Sequence, residues 1–392
     1  MRQPFIKLIS LLVALLGLST ALVVGVGFVL FLSFSGVQLP NLAEGTQDKP
    51  VEAGEIPVVK ALVDPASVWE ATDWSVMDKE PNAEELNYGK ELVANTAEYL
   101  GPKGKVKTMS NGMNCQNCHL DAGTKIFGNN YSAVASTYPK FRARSGAIEN
   151  IYKRVNDCFE RSLNGTALDT NSREMQGITA YIKWLGKDVK KGVKPAGSGF
   201  KDLALLDRAA DSEKGKLIYT DKCQSCHQSS GLGLMNGAKT AYTYPPLWGE
   251  HSYNDGAGLF RMSNFAKYVK YNMPLGANHN SPQLTDEEAW DVAAFANSQT
   301  RPHKNIKNDW PKIEEKPFDH PFGPYADGFD EKQHKYGPFK PIKDKMFSIC
   351  SVFQITKYFA IRRTINNVFE RPVFFNKPVN SLPLEKRFRF IV

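Results

Sequence analysis

The chain has 392 residues, a hydrophobic fraction of 42% and six cysteines, enough apolar material for two or more cores and too few thiols for a disulfide-built miniprotein. Its formal net charge of +8 is concentrated at one end, where residues 343–392 carry ten Lys or Arg against three Asp or Glu. The remainder is close to neutral, which leaves no basic field for nucleic acid.

Arg2 and Lys7 precede an apolar run from Leu8 to Phe34, and the next charged residue is Glu44. A helix of that length is about 40 Å long, more than a bilayer core of about 30 Å and longer than a signal-peptide apolar region. Residues 1–36 are therefore predicted as a transmembrane anchor with its basic end in the cytoplasm, in preference to a cleaved signal. Residues 37–80, broken by Pro40, Pro50, Pro57 and Pro65, read as an extended linker.

The chain then repeats itself. A helix-like stretch over 88–101 leads to Cys115, Cys118 and His119, and SREMQGITAYIKWLG (172–186) closes the unit. SEKGKLIYTDK (212–222) leads to Cys223, Cys226 and His227, and LTDEEAWDVAAFANS (284–298) closes a second unit. Ser172 and Thr285 stand at N-cap positions, with Glu288 completing a capping box. Met175, Ile178, Ile182 and Leu185 recur at helical spacing, as do Ala289, Val292, Phe295 and Ala296, and both stripes predict core-facing helices.

CxxCH is the attachment signature of c-type haem: two thiols add to the porphyrin vinyl groups and the histidine becomes the proximal iron ligand. Two copies predict two covalently bound haem c groups. Such attachment takes place outside the bacterial cytoplasm, so a periplasmic location follows. The predicted fold is mainly α, with two cytochrome c domains in tandem (81–190 and 205–300), each wrapping one haem, preceded by the N-terminal transmembrane helix. Residues 191–204 read as an interdomain linker and 301–342 as a Pro-rich strap over the surface. The basic tail, 343–392, contains Cys350 and has no assigned role.

The sixth ligands distinguish the two haems. YVKYNMPLG offers Met273 before a proline, a usual arrangement for methionine ligation that raises potential; Met235, Met262 and His251 are rivals. The matching stretch of the first unit, IYKRVNDCFERSLNG, has no methionine and instead presents Cys158 among polar neighbours. A thiolate near cations is stable and reactive, so Cys158 is a candidate ligand or nucleophile. It would give the first haem a lower potential than the second, so that electrons run from haem 1 to haem 2. If this stretch is helical, Arg154, Cys158 and Ser162 share a face. Arg142 and Arg144 of YPKFRARSG add positive charge if their loop folds back, and arginine's planar fork suits oxyanions.

These segments, with NCQNCHLDAGT, NDCFERSLNG, AYIKWLG, YPPLWG, GAGLFR and NMPLG, resemble the dihaem thiosulfate dehydrogenase and tetrathionate reductase family over roughly 85–342. The resemblance implies interconversion of two thiosulfates with tetrathionate and two electrons. It also implies Cys158 as distal ligand of the catalytic haem on His119, a substrate pocket lined by Arg144, Arg154 and Ser162, and His227 with Met273 on the second iron. A cytochrome c or another redox partner exchanges the electrons. Some family members carry a lysine before the methionine as an alternative ligand; here Asn272 stands there, so Met273 is expected in both redox states. The competing readings are a dihaem electron carrier without substrate, and a cysteine-ligated sulfur-oxidation cytochrome that loads a carrier protein.

Overall fold

The computed structural model describes residues 68–346. The expected anchor (1–36), residues 37–67 and the tail from 347 onward, Cys350 included, lie outside them. Among the described residues no helix is long and apolar enough to cross a membrane.

The first unit is built on helix α1 (Ala83–Ala94), helix α2 (Ile151–Arg161) and helix α3 (Arg173–Leu185). The Ser172 hydroxyl accepts the Met175 N–H at 3.2 Å, so the expected N-cap starts α3. Met175, Ile178, Ile182 and Leu185 are buried, as are Leu86, Leu92 and Val93 of α1. The two helices cross at Gly89 and Gly177: a Cβ on Gly89 would stand 2.0 Å from the Gly177 carbonyl oxygen.

The second unit repeats the plan with helix α4 (Ser212–Lys222), helix α5 (Met262–Asn272) and helix α6 (Asp286–Ser298). Thr285 and Glu288 close their capping box in both directions, at 3.1 and 2.7 Å. Gly215 of α4 is the counterpart of Gly89, since a Cβ there would lie 1.9 Å from the Asp291 carbonyl oxygen of α6. Helix α6 departs from the expected single stripe and is buried on several faces. Trp290 donates to the Ala204 carbonyl at 2.8 Å and its ring packs 5.4 Å from Phe339, so other segments cover the side that an isolated domain would leave wet.

Three segments expected as connections are part of the packed body. Trp69 and Met77, at the end of the expected lead-in, are buried, and Trp74 stacks on Tyr181 and Trp184. In the 191–204 stretch the Gly197 and Gly199 carbonyls accept the N–H groups of Phe127 and Asn129 at 2.8 and 3.0 Å, pinning the stretch to the loop after the first CxxCH. The Pro-rich 301–342 segment does not merely cross the surface: Asp319, His334, Phe339 and Ile342 are buried within it. Few of these positions carry a periodic apolar pattern, because single residues in irregular backbone supply the contacts.

Asp319 ties this segment to the second unit. It is fully buried and accepts Arg261 Nε at 2.8 Å and the Ser263 N–H at 2.9 Å. Burial alone would raise its pKa, but Arg261 and Ser263 overcome that and hold it below the ordinary carboxylate value. A depressed folded-state pKa contributes stability above the unfolded value, near 3.9, that is lost as pH falls through the folded value. Asp319→Asn is therefore expected to be less stable at pH 7, by about 3 kcal/mol as for a broken buried pair. In urea titrations its deficit against wild type should shrink as the pH falls below about 4. A deficit independent of pH would rule out this linkage.

Candidate active site

The residues of the first CxxCH line a cavity with about 790 Å³ of empty space. Its walls are mainly apolar and include Tyr131, Val134, Ile151, Phe159, Leu163, Ile178 and Ile182. Cys115 and Cys118 lie at its lining, and Cys158 and His119 are close enough for the imidazole to act on the thiol. His119 Nδ1 lies 2.6 Å from the Asn129 carbonyl and its ring stacks on Tyr131 at 4.5 Å. That contact fixes the ring and leaves Nε2 as the free nitrogen, as an iron-binding histidine requires. Asn129 achieves it with φ of 61°, in a loop where Gly123 is also left-handed and a Cβ would strike the Tyr131 ring at 2.1 Å. A mainly apolar cavity, two thiols, an oriented imidazole and the sulfur of Cys158 beside it fit a covalently attached porphyrin.

The three cysteines here are not equivalent. Burial pushes Cys115 and Cys118 up to about 12. Burial also opposes the Cys158 thiolate, but the Arg154 charge and the His119 imidazole outweigh it and bring Cys158 down to about 6. Arg154 Nη1 donates to Cys158 Sγ at 3.0 Å. The helical spacing carries through: Arg154 and Cys158 lie on α2, Ser162 is its C-cap residue, and all three line the cavity.

Sharing His119, Cys158, Arg154 and Ser162 with this apolar cavity is a polar cavity with about 850 Å³ of empty space, lined also by Arg142, Arg144, Arg161 and Arg261, with Asp157, Asn129, Phe200 and Trp310. Strands β1 (Lys140–Arg142) and β2 (Ala147–Glu149) form the hairpin that folds the arginine loop back. Arg144 Nη2 donates to Asp157 Oδ2 at 2.5 Å, and Lys153 bonds the other oxygen. Arg161 is locked by Asp309 through Nη1 and Nη2, at 2.8 and 2.9 Å. Sequence reasoning placed Arg144, Arg154, Cys158 and Ser162 but missed Arg161, Arg261, Asp309 and Trp310. Arg161 and Arg261 stand within the quoted NDCFERSLNG and GAGLFR motifs, whereas Asp309 and Trp310 lie in aperiodic chain without any local signal.

The second CxxCH lines a larger cavity, about 1580 Å³, with His227, Cys223, Cys226 and Met273 on its walls. His227 Nδ1 lies 2.8 Å from the Pro245 carbonyl, the same device as at His119. Of the candidate ligands only Met273 lines this cavity; Met262 is buried elsewhere, and Met235 and His251 are exposed. Asn272 points its amide nitrogen to the carbonyls of Phe127 and Tyr268, each at 3.2 Å, and is not on the cavity wall. Cys118 lines both CxxCH cavities and the arginine cavity, and Tyr268 donates to the Asn117 carbonyl at 2.7 Å. The two haem sites thus share a wall.

Two tandem helical units, each with CxxCH and an oriented histidine at a mainly apolar cavity, define a dihaem c-type cytochrome. The family model described as SoxA/TsdA, cytochrome c domain, matches residues 105–190, and the model described as Cytochrome c matches 212–300. A thiosulfate dehydrogenase of Psychrobacter arcticus is 39% identical over 206 residues, which are 52% of this chain and 61% of that protein. One from Allochromatium vinosum is 38% identical over 198 residues, 50% of this chain and 72% of that protein. The solved structure of thiosulfate dehydrogenase (TsdBA) from Marichromatium purpuratum superposes with a TM-score of 0.55 at 30% identity, covering 60% of this chain and 50% of that one. The chain belongs to the thiosulfate dehydrogenase family, and it carries two covalently bound haem c groups.

Proposed function

We propose that this protein interconverts thiosulfate and tetrathionate, joining two thiosulfates with release of two electrons or running the reverse. The observation that carries this reading is the cavity with five arginines beside a thiolate-prone Cys158. Two dianions in contact at about 4 Å repel by roughly 4 kcal/mol even in water. Arg144, Arg161 and Arg261 are paired with Asp157, Asp309 and Asp319, so Arg154, with Arg142 beside Glu149, offsets that repulsion, and the paired arginines hold their N–H donors in place for the oxyanions.

The residues assigned are Cys115, Cys118, Cys223 and Cys226 as attachment thiols, His119 and Cys158 on the first iron, and His227 and Met273 on the second. The haems supply two one-electron acceptors. Cys158, once free of the iron, couples oxidatively with the outer sulfur of one thiosulfate, giving Cys–S–S–SO3⁻ as two electrons pass to these acceptors. The outer sulfur of a second thiosulfate then attacks the sulfur bearing the sulfonate, and Cys158 leaves as thiolate with tetrathionate formed. Arg154 stabilises the thiolate at both ends of this cycle, while Arg144 and Ser162 orient the sulfonates. Asn272 is engaged elsewhere, so Met273 stays on the second haem in both redox states.

The basic, apolar start of the chain supports an inner-membrane anchor that leaves the haem domains in the periplasm, facing a cytochrome c or another redox partner. The test is an assay of fractionated cells for thiosulfate-dependent reduction of an artificial acceptor with tetrathionate as product. Activity is expected in the membrane fraction. Haem-loaded protein that forms no tetrathionate and reduces none would overturn the proposed reaction, and activity confined to the soluble fraction would overturn the anchor.

A further inference from the structure

We propose that Lys140 and Lys194 form a cationic rim that captures a sulfur oxyanion before it enters the arginine cavity. The identity of that anion, thiosulfate or tetrathionate, rests on the reaction proposed above. Strand β1 sets the first lysine. Lys140 and Arg142 are half-buried and Phe141 between them is 53% exposed, so the two cations share one face of the strand. Arg142 lines the cavity, and Lys140 therefore stands next along that face from its wall. The Lys140 ammonium lies 5.0 Å from the centre of the Tyr138 ring.

The second lysine comes from the 191–204 stretch. The Gly192 N–H donates to the Ser136 carbonyl at 2.8 Å, the Ser136 hydroxyl to the Val193 carbonyl at 2.6 Å, and Lys191 to the Tyr138 carbonyl, which fastens this stretch beside the base of the hairpin. A Cβ on Gly199 would lie 3.9 Å from Lys194 Nζ. Gly199 itself adjoins the cavity, because its carbonyl accepts the N–H of Asn129 and its neighbour is Phe200, both lining residues. Among the described residues neither lysine is paired with a carboxylate. Glu149, opposite Lys140 in the hairpin register, lies 3.9 Å from Arg142, and Asp202, within the field of Lys194, is paired with Lys267 at 2.7 Å. Burial, then Arg142, Arg154 and Lys194, push Lys140 below the ordinary lysine value, so the charges that act on it are all positive. Cations gathered without a counter-ion repel one another, and an arriving dianion offsets that repulsion.

The test compares the full chain, loaded with both haems, with the double variant Lys140→Gln and Lys194→Gln. At about 10 mM salt, where charges act over about 30 Å, kcat/KM for thiosulfate and the calorimetric Kd for tetrathionate in the oxidised protein should each weaken about tenfold. At about 1 M salt, where that reach falls to about 3 Å, the variant should come within about twofold of wild type. Saturated turnover and both haem midpoint potentials should match wild type, because neither lysine lines the cavity that holds Cys158. Lys140→Arg with Lys194→Arg keeps both charges and should restore the salt response. A deficit that is equal at both salt concentrations, or absent at low salt, overturns the rim. Wild-type protein that binds tetrathionate without turnover would sink the proposed reaction and leave the calorimetry to judge the rim. Wild-type protein that binds neither anion overturns both.

Discussion

Cys158→Ala is expected to lower thiosulfate and tetrathionate turnover by at least about 10³-fold, the scale on which removal of a nucleophile acts. Both haems should remain attached, because Cys115, Cys118, Cys223 and Cys226 are untouched. The structure gives the reason for so large an effect in a single sulfur. Cys158 lines both the apolar cavity and the arginine cavity, so it borders the two at once. Cys115 and Cys118 are taken up in thioether bonds to the porphyrin, while Arg154 and His119 bring Cys158 down to about 6. No other sulfur in that cavity is able to replace it as a thiolate. Product analysis by cyanolysis, with haem content measured on the same sample, checks the prediction. Turnover that survives in a fully haem-loaded variant would remove Cys158 from the mechanism.

Gly215→Ala should disable the second unit despite adding one methyl group. The new Cβ would lie 1.9 Å from the Asp291 carbonyl oxygen and 2.6 Å from its carbon, both backbone atoms of α6 that no rotamer change relieves. Asp291 cannot retreat cheaply, since its carboxylate is buried and bonded by Arg208 and the Asp211 N–H. Separating α4 from α6 also loosens the cluster of Tyr219, Trp248 and Phe295, whose rings lie 5.0 to 5.5 Å apart. A loss of about 3 kcal/mol is expected, at the upper end for overpacking, with the midpoint of urea unfolding as the measure. Gly237→Ala is the control, because its Cβ would meet nothing within 4 Å; it should stay within about 0.5 kcal/mol of wild type. Equal midpoints for the two variants would contradict the close crossing.

The amino-acid sequence by itself determined the parts whose chemistry is local. CxxCH fixes two thiols and an imidazole within five residues, so both haem sites were legible from spacing. Thr285 with Glu288, and Ser172 before α3, mark helix starts because capping involves neighbours in sequence. Arg154, Cys158 and Ser162 were legible as one constellation because a single helix and its C-cap carry all three.

Only the tertiary structure decided how the anion cavity is closed. Its walls come from a hairpin loop, α2, the start of α5 and an irregular segment near Trp310, stretches separated by up to about 170 residues. Arg144 meets Asp157 13 residues on, Arg261 meets Asp319 58 residues on, and Arg161 meets Asp309 148 residues on. Periodicity reports which side of one element is apolar. It does not report which distant carboxylate will lock an arginine, nor that a proline-rich stretch will bring Trp310 to the arginine cavity.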